Sequence, residues 1–132
     1  MASGARTTPP IVPDKGMGLY VHVPFCATKC PYCDFNTYQG IEYLIGPYLE
    51  AVTTGLGLWG RVLQQPPVST VFIGGGTPSY LPEQHVARLL SALRAAFRMQ
   101  EGAEVTLEAN PDDLVPSKCY ELISQGFNRL SI

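Results

Sequence analysis

Three of the four cysteines fall within eight residues, as Cys26, Cys30 and Cys33, while the fourth stands far off at Cys119. Thiolates so closely spaced on one loop can wrap a single metal centre. Zinc takes four tetrahedral ligands, normally from two cysteine pairs or with histidines added. The remaining candidates, His22, His85 and Cys119, fall on segments whose patterns read as a strand and helices, outside this loop. A 4Fe–4S cluster held by three cysteines leaves one iron open to a ligand, whereas electron-carrier clusters take four. The spacing favours such a cluster, with a zinc-stabilised structural module as the alternative. Without a secretory signal, the clustering speaks for metal or redox chemistry over disulfide staples.

Two further groups carry chemistry. Gly74-Gly-Gly-Thr-Pro78 lets a backbone approach a ligand closely and offers N–H groups to a carboxylate or carbonyl. It lacks the lysine of a phosphate-binding loop and the spacing of a dinucleotide fingerprint, and it equally suits a tight strand-to-helix turn. Glu108 alternates away from Val105, Leu107 and Ala109, and a carboxylate turned inward needs a partner. Tyr20 and His22 share a face opposite Val21 and Val23, where His22 reads as a satisfied core histidine. Cys119 lies on an apolar helix stripe and reads as core.

The elements that must position these groups follow from periodicity. Leu19–Val23 reads as a strand stopped by Pro24. A helix is predicted over about 41–65, with Leu49, Val52, Leu56, Trp59 and Leu63 as its stripe, ended by Pro66-Pro67. Thr70–Ile73 is a second strand, apolar throughout as in a buried parallel sheet. A helix follows over about 82–99, then a strand over 104–109. A third helix spans about 116–125, with Cys119, Leu122 and Ile123 inward and Gly126 at its end, before a fourth strand from Asn128. Alternating βα units predict an α/β fold with a parallel sheet, either doubly wound or a barrel. Each chemical group then falls at the carboxyl end of a strand, the rim where such folds bind ligands.

Composition limits the partners. The 132-residue chain is 45% hydrophobic and 15% charged, with a net charge of −2 and no cluster of Lys or Arg. That gives no footprint for nucleic acid. No run approaches the roughly 18 apolar residues of a membrane span. Residues 1–16 read as a disordered N-terminal tail, and a cytoplasmic location is the expectation.

Assembled, these residues resemble the radical S-adenosylmethionine (radical SAM) superfamily, in the group of oxygen-independent coproporphyrinogen III oxidases and HemW heme chaperones. The resemblance is carried by Leu19-Tyr-Val-His-Val-Pro-Phe-Cys26, Cys30-Pro-Tyr-Cys-Asp-Phe35, Gly74-Gly-Gly-Thr-Pro-Ser79, Glu108-Ala-Asn-Pro111 and Asn128-Arg-Leu-Ser-Ile132. It implies the N-terminal part of a partial (β/α) barrel, with residues 17–132 forming three βα units and the start of a fourth strand. It implies that Cys26, Cys30 and Cys33 ligate the 4Fe–4S cluster and that S-adenosylmethionine chelates the open iron. Tyr20 and Tyr32 would line its site, Gly75 would meet the methionine end, Gly76 and Thr77 would face a second ligand, and Glu108 would bind the cofactor further along. It names no catalytic side chain. Implied partners are heme or a porphyrinogen, an electron donor such as flavodoxin or ferredoxin, and a heme-acceptor protein. Oxidases of this group resemble a pattern with another cysteine two residues beyond the third ligand. Here that place is Phe35, which favours heme binding and transfer over oxidative decarboxylation.

Overall fold

A computed structural model describes residues 16–132, so the tail expected over 1–16 lies, Gly16 apart, outside the described residues. Its elements are β1 (Met17–Val23), α1 (Ile45–Val62), β2 (Pro67–Gly75), α2 (Glu83–Ala96), β3 (Arg98–Glu108), α3 (Pro116–Gln125) and β4 (Arg129–Ser131). All neighbouring strands pair in parallel, in the order β1-β2-β3-β4. A doubly wound sheet would reverse its order at a switch point. Sequential order is the winding of a barrel, and this is a segment of one.

Strand alternation separates the two faces of the sheet. Val21, Val23, Val71, Ile73, Val105 and Leu107 are buried against Leu49 of α1 and Val86, Leu89, Leu90 and Leu93 of α2. Each such side chain contributes about 1.5–3 kcal/mol on leaving water. The opposite face carries Tyr20, His22, Phe72, Gly74, Thr106 and Glu108, side by side in register. Glu108 thus points to the face its alternation predicted.

Several expectations change in detail. The second helix ends at Ala96, not near Met99, because Phe97 turns extended to bury its ring and Arg98 and Met99 pair with Pro67 and Val68. Trp59, assigned to the apolar stripe of α1, is 61% exposed. Gly60 takes the contact position instead, since a Cβ there would fall 2.3 Å from the Ala96 carbonyl oxygen of α2. Ile123, expected inward, is 67% exposed: α3 docks through Leu122, and no further helix among the described residues flanks its other side. Gly126 does end α3, at φ +107.

Candidate functional site

The cysteine loop begins where Pro24 stops β1. Phe25 anchors it in the core, edge-on to Tyr48 at 5.5 Å. The Cys26 N–H donates to the Tyr38 carbonyl at 2.9 Å and the Tyr38 N–H to the Pro24 carbonyl at 2.7 Å, closing the loop at its base. A turn in which the Cys33 N–H donates to the Cys30 carbonyl at 3.0 Å forms its tip. Cys26 is buried, Cys33 half-buried and Cys30 exposed, and all are free thiols.

The glycine turn docks against this loop. A Cβ on Gly74 would fall 2.7 Å from Glu108 Oε2, one on Gly75 2.6 Å from the His22 ring, and one on Gly76 2.6 Å from the Phe25 carbonyl oxygen. Gly75 also sits at φ +116, a conformation open to glycine. The N–H groups that the sequence left open between a ligand and a tight turn have partners within the chain. Gly75 donates to Glu108 Oε2 at 2.7 Å, Gly76 to the Val23 carbonyl at 2.7 Å and Thr77 to the Phe25 carbonyl at 2.8 Å. The carboxylate that Gly75 meets in this structure is the chain's own Glu108, which thereby gains the partner its inward position requires.

Hydroxyls address two of the thiols. Thr77 donates to Cys26 Sγ at 3.5 Å, and Thr37 Oγ1 lies 3.6 Å from Cys33 Sγ. The bonds from Thr37 and the Phe35 backbone hold the Cys33 thiol below its ordinary pKa, toward the thiolate that binds metals. A brace centred on the buried Ser79 joins the second and third rim loops: Ser79 donates to Asp113 at 2.7 Å and accepts from the Asn110 N–H at 2.9 Å.

A cavity of about 680 Å³ opens at this rim, within the usual range for small-molecule sites. Cys26, Cys30, Tyr32, Cys33, Gly75, Gly76, Thr77 and Glu108 all line it. Tyr20 does not: it stacks on Phe72 lower on the same face, with ring centres 6.1 Å apart. Its hydroxyl, raised above its ordinary pKa by partial burial and then by the charge of Glu108, donates to His22 Nδ1 at 3.0 Å. His22 Nε2 must carry the ring proton, because its partner at 2.8 Å is the Asn36 carbonyl. His22 is satisfied, as expected, yet it braces the cysteine loop instead of filling the core.

Sequence reasoning missed Thr37, Asn110 and Ser131 as lining residues. Asn110 stood inside a motif already singled out, while Thr37 gave no signal. The donor set suits a cluster: three free thiols share one cavity, while Cys119 lines a separate apolar pocket. Among the described residues no three His, Cys, Asp or Glu side chains group tightly enough around one point to hold a single metal ion as they stand.

The sequence profile of the Radical SAM superfamily matches residues 20–132. The heme chaperone HemW of Mycobacterium tuberculosis is 40% identical over 124 residues, which cover 92% of this chain and 32% of that protein. HemW of Escherichia coli is 38% identical, covering 88% and 31%. The oxygen-independent coproporphyrinogen III oxidase of Synechocystis is 37% identical, covering 87% and 25%. Among solved structures, the radical SAM enzyme coproporphyrinogen III oxidase (HemN) of E. coli superposes with a TM-score of 0.80 at 32% identity, over 86% of this chain and 26% of that one. The chain spans about a third of the length of the HemW relatives it matches.

Proposed function

The chain belongs to the radical SAM superfamily, and from that premise we propose that it carries the cluster and S-adenosylmethionine site of a HemW-like protein that binds heme and passes it on. The observation that carries this reading is the meeting of three free thiols, the glycine turn and Glu108 around one cavity. Cys26, Cys30 and Cys33 would hold a 4Fe–4S cluster, the ligand set that leaves one iron for the amino and carboxylate groups of S-adenosylmethionine. When bound, the cluster supplies one-electron reducing power and that open coordination position.

The chain's own residues do the positioning. Thr77 and Thr37 direct hydroxyls at Cys26 and Cys33, where hydrogen bonds to sulfur tune a cluster. Because the Gly75 N–H is committed to Glu108, Gly75 would meet the methionine end through its bare backbone. Glu108, steadied by that bond, keeps Oε1 for a donor on the cofactor. Tyr32, 85% exposed at the cavity wall, offers a ring face to the adenosine. Tyr20 acts at one remove, through His22 and the Asn36 carbonyl.

Heme transfer is favoured over decarboxylation because Phe35, an exposed wall of the cavity mouth, stands where the oxidase pattern has a cysteine. The HemW relatives add support. A flavodoxin- or ferredoxin-type electron donor, a heme-acceptor protein and a cytoplasmic setting belong to the same proposal. No described helix is long and apolar enough to cross a membrane. The test is a titration of the reconstituted protein with hemin, followed by presentation of an apo-hemoprotein. A saturable Soret band that moves to the acceptor supports the reading. Release of carbon dioxide from coproporphyrinogen III, with no heme transfer, would establish the oxidase instead.

A further inference from the structure

We propose that Lys29 is a positioning residue of the cysteine loop, its ammonium tying the limb that carries Cys26 and Cys30 to the limb that returns through Phe35 and Thr37. The inference rests on the iron–sulfur reading above and deepens it. Lys29 Nζ donates to the Thr37 carbonyl at 3.0 Å and to the Phe35 carbonyl at 3.4 Å. Its backbone N–H donates to Gln39 Oε1 at 2.6 Å, and its ammonium lies 5.9 Å from the centre of the Tyr38 ring. One residue thus meets four on the returning limb.

Lys29 is an exposed residue, yet its ammonium is turned back onto the carbonyls of its own loop, with the Thr37 bond partly sheltered from water. One acceptor belongs to Thr37, which is 1% exposed and whose hydroxyl faces Cys33 Sγ. The loop is closed at its base by the Phe25–Tyr38 bridge and at its tip by the Cys30–Cys33 turn. Lys29 crosses the open span between them, next in sequence to Cys30. A loop ordered in advance loses less entropy when its thiolates close on a metal centre. The same ammonium places a positive charge beside an anionic centre, which favours the more reduced state of whatever the thiolates hold.

The test compares wild type with Lys29→Met and Lys29→Arg. Hydrogen exchange over residues 26–39 is read in the metal-free chain. Iron retention against a chelator and the cluster's reduction potential are read after anaerobic reconstitution. Loss of the crossing bonds should speed exchange of the loop in Lys29→Met about tenfold, with β2 and α2 unchanged. The same variant should lose iron faster and show a lower potential, and Lys29→Arg should restore both the exchange and the potential by keeping the charge. A Lys29→Met loop that exchanges like wild type, or a potential that stays put, overturns the proposal. A wild-type chain that takes up no iron overturns the iron–sulfur reading and the positioning role with it. Normal iron uptake beside an unchanged Lys29→Met loop overturns the positioning role alone.

Discussion

The two loops that meet at the rim are built in opposite ways. In the turn from Gly74 to Ser79, the Gly75, Gly76 and Thr77 N–H groups are satisfied internally, and Pro78 and Ser79 are buried. The cysteine loop rests against it, yet Cys30, Tyr32 and Phe35 stand exposed. The glycine turn is a finished wall whose conformation is set by close backbone contact. The cysteine loop holds its shape through its base, His22 and Lys29, leaving its thiols free of disulfides. On the proposed reading, positioning belongs to the wall and ligation to the loop, so damage to each should read out differently.

The largest separation is expected between Ile73→Ala and Cys30→Ala. Ile73 is fully buried beneath the glycine turn, and truncating it should cost about 2–5 kcal/mol and lower Tm in thermal melts. Cys30→Ala alters an exposed side chain and should leave the metal-free melt within about 0.5 kcal/mol of wild type. Equal losses from both would erase the contrast. Gly76→Ala comes next: its Cβ would meet two backbone carbonyls, at 2.6 and 2.9 Å, so one loop must yield. A cost of about 1–3 kcal/mol should appear in chemical denaturation, with faster proteolysis in the cysteine loop. Glu108→Gln keeps an acceptor for the Gly75 N–H but removes the charge that strengthens the bond, so a loss of about 1 kcal/mol is expected. Stability equal to wild type would show that Glu108 does not set the wall. Smallest is Thr37→Val, which keeps the shape and deletes the hydroxyl at Cys33. The Cys33 thiol is held below its ordinary pKa first by that hydroxyl, so its removal raises the pKa and lowers the thiolate fraction at a given pH. Alkylation of the metal-free chain, followed against pH, should show the Cys33 midpoint moving upward. A midpoint that stays or falls would count against the hydroxyl's role.

Much of this arrangement was legible in the residues, because period-two and helical patterns report which side of an element is buried. The parallel sheet and the three loops at one rim followed from those patterns, which left open whether its strands run in barrel or doubly wound order. Trp59 was misjudged because periodicity cannot see that Gly60 lets α1 approach the Ala96 carbonyl. The role of the glycine N–H groups stayed open for a related reason. Their partners, Val23, Phe25 and Glu108, come from other elements, and no local pattern announces such a pairing. Tyr20 lies on the face that alternation assigned it, while the resemblance alone placed it at the cofactor site, and alternation does not report how near the rim a side chain lies. Lys29 and Thr37 gave no sequence signal, since their value depends on how a loop without regular structure folds back.

The most direct test of the central claim is iron and sulfide content, with an ultraviolet–visible spectrum, after anaerobic reconstitution of the wild-type chain and Cys30→Ala in parallel. The account predicts about four irons and matching sulfide in the wild type, with absorbance near about 400 nm, and loss of both in the variant. Zinc alone in a folded wild-type chain, or iron that survives unchanged in Cys30→Ala, would contradict it.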